Sequence, residues 1–116
     1  MNYWTKKFNK LNKKYWNGKL SSIEVNVRDL IDSEQAEGLY HYPDADNKAL
    51  IEIERTLPHH HKINILLHEM CHHAVEELYE KRPYHFHGRL WKEQMRRVGF
   101  KGKINSVRGR YKTRID

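Results

Sequence analysis

The stretch INILLHEMCHHAVEELY, from Ile63 to Tyr79, constrains this chain most. Its apolar residues fall at positions 63, 66, 67, 70, 71, 74 and 78, a spacing that predicts an α-helix. Ile65 and Val75 sit off that stripe, so the helix is expected to be covered on more than one side and to lie at the centre of the fold. Inside it, His68, Glu69 and His72 spell H-E-x-x-H. Helical residues four apart project from one face, so two imidazoles can reach a single ion from a rigid frame. The pair faces away from the main apolar stripe, and Glu69 lies beside it. Zinc lowers the pKa of a bound water from near 16 to roughly 7, and a neighbouring carboxylate can then take its proton. Residue types and spacing both meet the needs of metal-assisted hydrolysis.

A catalytic zinc usually has three protein ligands and one open position. His73, His85, His87 and Glu93 are the candidates for the third. His73 points about 100° away around the helix and is expected to be solvated or to support the site from behind, touching Glu69 four positions back. Glu93 would serve in a site completed by a glutamate from a second helix. His87 opens that second helix and precedes Gly88, which permits close backbone approach, so it is the better placed. The longer pattern H-E-x-x-H-x-x-G-x-x-H is excluded, because Val75 and Leu78 stand where its glycine and third histidine belong. Cys71 falls on the apolar stripe and is expected as a small core residue. His59, His60 and His61 precede the helix and are expected at the surface or in its first turn.

Elsewhere, Trp4, Phe8, Leu11 and Tyr15 recur at helical spacing with lysines between them, predicting an amphipathic helix that ends near Asn17-Gly18. Ile23, Val25 and Val27 alternate as in a strand with one buried face. Leu39–Tyr42 and Ala49–Glu54 are expected to form a β-hairpin around a polar turn at Pro43–Asn47. Between Asp32 and Asp46 the pattern is otherwise weak. Pro58 stands where a helix can begin, Pro83 breaks the central helix, and Leu90, Trp91, Met95 and Val98 mark a shorter one ending at Gly99. The basic remainder leaves open an irregular packed tail, a short strand or a mobile end.

With 116 residues, one domain is expected over 1–116, with 99–116 as a basic tail. A lone cysteine excludes an intrachain disulfide and a Cys-x-x-Cys zinc ribbon, so histidine or carboxylate must hold any metal. The net charge of +7 is unevenly spread. Residues 1–19 carry six Lys and no acid, residues 20–91 seven basic and thirteen acidic side chains, and residues 92–116 nine basic and two acidic. An acidic middle favours a cation, while the basic ends, with Tyr3, Trp4 and Tyr111 near them, suit solvated surfaces or a polyanion such as DNA. No apolar run is long enough to cross a membrane and the N-terminus lacks a signal-like apolar core, so a cytoplasmic setting is expected; the oligomeric state is left open, with a monomer favoured.

Several of these segments together resemble the SprT-like family of zinc metallopeptidases, which includes the Spartan proteases. FNKLNKKYWNGKLSSIEVNV is similar to the family's opening helix and first strand, LLHEMCH to its active-site helix, and HGRLWKEQMRRVGF to the segment that supplies a third histidine. The resemblance implies that His68, His72 and His87 bind one catalytic Zn2+ and that Glu69 is the catalytic acid/base. It implies a small zincin-like α+β domain: an N-terminal helix, a short, mainly antiparallel sheet, a central active-site helix and a following helix. The expected substrate is a protein or peptide, and some family members act on proteins attached to DNA. Many continue into a cysteine-ligated zinc ribbon; here the resemblance is to a minimal form, in which either the basic ends take the place of that module on DNA or the substrate is a different one. The alternative is a nucleic-acid-binding module whose zinc is structural or vestigial.

Overall fold

The computed structural model describes residues 1–79, 88–100 and 114–115. Helix α1 spans Tyr3–Trp16. Asn2 caps its start by accepting from the Thr5 amide at 2.8 Å, and Asn17 and Gly18 end it with φ of 53° and 75°, as the Asn-Gly pair predicted. Buried Asn12 fastens the exit, donating to the Leu20 carbonyl at 2.8 Å and accepting from the Leu20 amide at 3.2 Å. The core-facing side is Phe8, Leu11 and Trp16, with Trp4 and Tyr15 half-buried at its margins.

Strands β1 (Glu24–Arg28), β2 (Gly38–His41) and β3 (Leu50–Glu54) form the sheet, joined by a two-residue strand β4 (Arg114–Ile115) in the order β1-β3-β2-β4. β2 and β3 make the expected hairpin, and Asp44 closes its turn by accepting from the amides of Asp46 and Asn47. β4 pairs antiparallel with β2. β1 and β3 run parallel, so the sheet is mixed. The connection from Asp29 to Glu37 carries the chain past the future place of β3, and the hairpin then returns a strand beside β1 in the same direction.

That connection holds an element the sequence pattern did not predict, a single helical turn α2 (Ile31–Glu34). Its cause lies far along the chain. One oxygen of the Glu54 carboxylate accepts from the amides of Leu30 and Ile31 at 2.7 and 2.8 Å; the other accepts from the Thr56 amide and hydroxyl at 2.9 and 2.7 Å. These donors, first the Ile31 amide, then Thr56 and Leu30, hold buried Glu54 down at about 2. Beside it, burial alone would raise Glu52, but hydrogen bonds from Arg28 and His41 outweigh that and keep its carboxyl below the ordinary range.

Helix α3 spans His59–Tyr79, starting one turn before the predicted Ile63 because the Pro58 carbonyl already accepts from the Lys62 amide. Helix α4 spans Arg89–Arg97, and Gly99 follows it at φ 89°. α3 lies across β2 and β3, with α4 against its far side and α1 against β1. Phe8, Trp16, Val25, Ile51, Ile53, Leu66 and Met70 belong to the core so enclosed. Cys71 is fully buried in it, as expected, and burial pushes its thiol well up, with the charge of Glu69 adding to the effect. Among the described residues no helix is long and apolar enough to cross a membrane. The architecture is a small α+β domain with a central helix followed by another.

A carboxylate whose folded pKa is about 2, against about 4.5 when free, releases its proton more readily in the folded protein. Its stabilisation is complete above pH about 4.5 and is lost as pH falls toward about 2. Glu54→Gln is therefore expected to unfold at lower temperature than wild type at neutral pH, with the two melting curves converging over that acidic window. Thermal unfolding followed by circular dichroism across the pH range checks this; a gap independent of pH would contradict it.

Candidate metal centre

On α3, one donor atom each from His68, Glu69 and His72 lies within 4.8 Å of the others, and among the described residues no other group of three or more metal-binding side chains converges in this way. The His68 Nε2 is 3.9 Å from a Glu69 carboxylate oxygen, and the two imidazole centroids are 5.3 Å apart. Glu69 and His72 are buried, whereas the His68 side chain keeps 17% of its exposure. Two imidazoles and a carboxylate gathered at the rim of a core form a donor set that suits zinc.

The histidine pair does face away from the apolar stripe, yet it is not left to solvent. Trp91, in the first turn of α4, packs its ring edge-on to His68 at 4.8 Å and nearly parallel to His72 at 5.5 Å. Its indole N–H donates to the His68 carbonyl at 3.3 Å. From the sheet, the Tyr40 ring also lies nearly parallel to His72, 6.5 Å away. Aromatic faces on both helix and sheet thus restrict how the His72 ring can turn.

His73 is not solvated; it supports the site from behind, as the second of the two expectations had it, but through Tyr40 and not through Glu69. It is 2% exposed. Its Nε2 lies 3.0 Å from the Ser21 carbonyl, which can only accept, so Nε2 carries the proton and Nδ1 accepts from the Tyr40 hydroxyl at 2.9 Å. Burial lowers its pKa, in keeping with that neutral tautomer. Its carboxylate neighbour is Glu77, which also takes hydrogen bonds from the Ser21 amide and hydroxyl. His73 therefore anchors Tyr40, and through the Tyr40 ring it bears on His72.

Of the other candidates, Glu93 is exposed, sits 3.9 Å from Arg89 and is not in the converging group. His85 and His87 lie outside the described residues. His59 opens α3 at the surface, hydrogen-bonded to Tyr3 at 2.9 Å, and His61 stands 3.4 Å from Glu37, so the histidine triplet occupies the first helical turn as expected.

Gly38 is a site residue that sequence reasoning missed. A Cβ placed there would lie 2.4 Å from Ile65 Cγ2 and 2.9 Å from a Glu69 carboxylate oxygen. Only a residue without a side chain lets β2 press this closely on the helix. An isolated glycine at the head of a strand pattern was the available signal. Beside His68 opens a cavity of about 420 Å3, lined by His61, Asn64, Ile65, Met95 and Val98 among others. A larger hollow of about 570 Å3, near Thr5, His41 and Asn47, touches none of the three donor residues.

The sequence model of the SprT-like family matches residues 4–111. No curated protein and no solved structure gives a significant match to the chain.

Gly38→Ala is expected to destabilise the fold by about 1–3 kcal/mol through overpacking against Ile65 and Glu69. Ile65→Ala should relieve part of that cost, so the double variant is predicted to be more stable than the sum of the single changes. Urea unfolding of the four proteins checks the cycle, and strict additivity would mean that the two positions do not meet.

Proposed function

The chain belongs to the SprT-like family, and from that premise we propose that it is a zinc-dependent metallopeptidase in which His68, His72 and His87 hold the metal and Glu69 is the general acid/base. The observation that carries this is the convergence of the His68, Glu69 and His72 donor atoms within 4.8 Å on one helix, with Glu69 and His72 buried. Assignment of His87 rests on the family resemblance. It is supported by Trp91, four residues further on, which packs on both imidazoles and so brings the start of α4 to the site.

Zinc bound there would supply Lewis acidity toward the scissile carbonyl and ease deprotonation of the attacking water. The chain's own work is positional and protonic. The Glu69 carboxylate takes the proton as the water oxygen forms its bond to the carbonyl carbon, and returns it to the amide nitrogen as the C–N bond breaks. Its burial keeps bulk water from competing for that proton. Trp91 and Tyr40 hold His72 in one orientation, and the partly open His68 side leaves an approach for substrate.

A nucleic-acid-facing surface is favoured by a separate observation. The Arg97 guanidinium donates to the Tyr15 carbonyl at 3.3 Å, joining the end of α4 to the end of α1. Exposed Lys13, Lys14, Arg96 and Arg97 are thereby drawn from both basic segments into one region. On this basis the substrate class extends to proteins bound to DNA; the alternative, DNA binding with a structural zinc and no cleavage, uses the same surface.

The purified protein is expected to contain one zinc per chain. Glu69→Gln should keep that zinc and lower kcat/KM for a peptide substrate by about 10²–10⁴-fold. His68→Ala and His87→Ala should each lose most of the metal, read by elemental analysis. Cleavage by Glu69→Gln at the wild-type rate would refute the mechanism. For DNA, replacing Lys14 and Arg97 with Glu should weaken binding and reduce the magnitude of the slope of log K against log salt by about 1 for each phosphate no longer neutralised. An unchanged slope would mean that DNA does not bind on this surface.

A further inference from the structure

Glu76 stands on α3 one turn after His72, and the mechanism above gives it no part. Residues four apart on a helix share a face, and residues seven apart return to within about 20° of one another. Glu76 is four positions from His72 and seven from Glu69, so it falls in the sector that carries both. Long helical side chains lean back over the preceding turn, which directs its carboxylate toward the level of His72. It is not a member of the group whose donor atoms converge within 4.8 Å. It stands behind that group.

The stability of the fold gives no reason for a carboxylate there. Glu76 is half-buried as a residue, but its Oε2 is wholly buried, and among the described residues no donor reaches that atom. A buried polar atom left unpaired costs stability, and a charged one costs more. The last turn of α3 is also the end at which the helix dipole disfavours an acid, and that turn contains no basic side chain. From Ile63 to Tyr79 the sequence has three Glu and neither Lys nor Arg. Glu77, in the same turn, is used quite differently: it accepts from the Ser21 amide and hydroxyl and lies 3.2 Å from His73. A residue that breaks the local rules of stability without a compensating contact points to function.

We infer that Glu76 is an outer carboxylate of the metal centre, whose charge raises the affinity for a dication held by His68 and His72 without ligating it. A bound dication is commonly the largest local charge in its site, and carboxylates placed behind imidazole ligands are a recurrent means of strengthening one. The ion in turn offsets a buried charge that no described side chain balances. The inference rests on the proposed binding of metal at that histidine pair and not on peptide cleavage.

The test uses the full chain stripped of metal, with Zn2+ alone as the probe, in competition with a chromophoric chelator of known affinity. Glu76→Gln is expected to weaken zinc binding about 10–100-fold. Glu76→Asp, which keeps the charge on a shorter stem, should recover part of that loss. Glu24→Gln removes the same charge from an exposed residue of β1 and should change the affinity by less than about twofold, because solvent screens it. Without metal, Glu76→Gln should unfold at or above the wild-type temperature, since it removes an unpaired buried carboxylate; at equal added zinc its gain in Tm should be the smaller. The visible spectra of the Co2+-substituted proteins should coincide, because the ligand set is unchanged. Wild-type zinc affinity in Glu76→Gln overturns the inference and leaves Oε2 to water. A lower melting temperature of metal-free Glu76→Gln also overturns it, by making the residue structural, and an altered Co2+ spectrum does so by making it a ligand. Failure of the wild-type chain to take up zinc overturns the inference and the proposed function together, whereas equal uptake by wild type and Glu76→Gln overturns the inference alone.

Discussion

Glu69 and His72 are buried on the helix that the rest of the molecule packs against, and that burial is the constraint the structure answers. Ionisable groups taken out of water are costly unless they are paired, hydrogen-bonded or bound to a cation. An ordinary hydrophobic helix at the same place would be simpler to cover. Here the covering elements are shaped to the donors: a glycine where the sheet meets Glu69, and aromatic rings where sheet and α4 meet His72.

From that constraint the surroundings follow as a chain of supports. His73 does not join the donors; its neutral ring ties the Tyr40 hydroxyl to the Ser21 carbonyl, linking sheet, helix and the exit of α1. Trp16 donates to Gln94 at 2.9 Å, both side chains being buried, and so fastens α1 to α4, the helix that carries Trp91. On the opposite face of β3, Glu52 is held by Arg28 and His41 while Glu54 caps α2. A central strand with alternate carboxylates is stable only because each finds donors from distant parts of the chain.

Much of this was legible in the sequence, unevenly. The apolar spacing of α1, α3 and α4 and the alternation in the three main strands are local signals, and the structure follows them within a few residues. α2 was not legible, because its amides are satisfied by Glu54, more than twenty residues away. Nor was the parallel pairing of β1 with β3, since strand direction depends on where the connection crosses and not on the residues that pair. His73 shows the same limit at the site. Its helical angle correctly removed it from the donor set, yet angle alone could not say that it would be buried against Tyr40 and Ser21.

By itself the sequence determined the helix and the presence on it of His68, Glu69 and His72 at a spacing that gathers them on one face, because helical geometry is set by local bonds. Tertiary structure decided how those residues are held. Gly38 became a site residue only when β2 approached Glu69, Trp91 only when α4 closed on the imidazoles, and the β2 edge a protected one only when β4 reached it. Each of these depends on packing between segments far apart in the chain; a local signal such as the isolated Gly38 marks a close approach without saying which residue approaches.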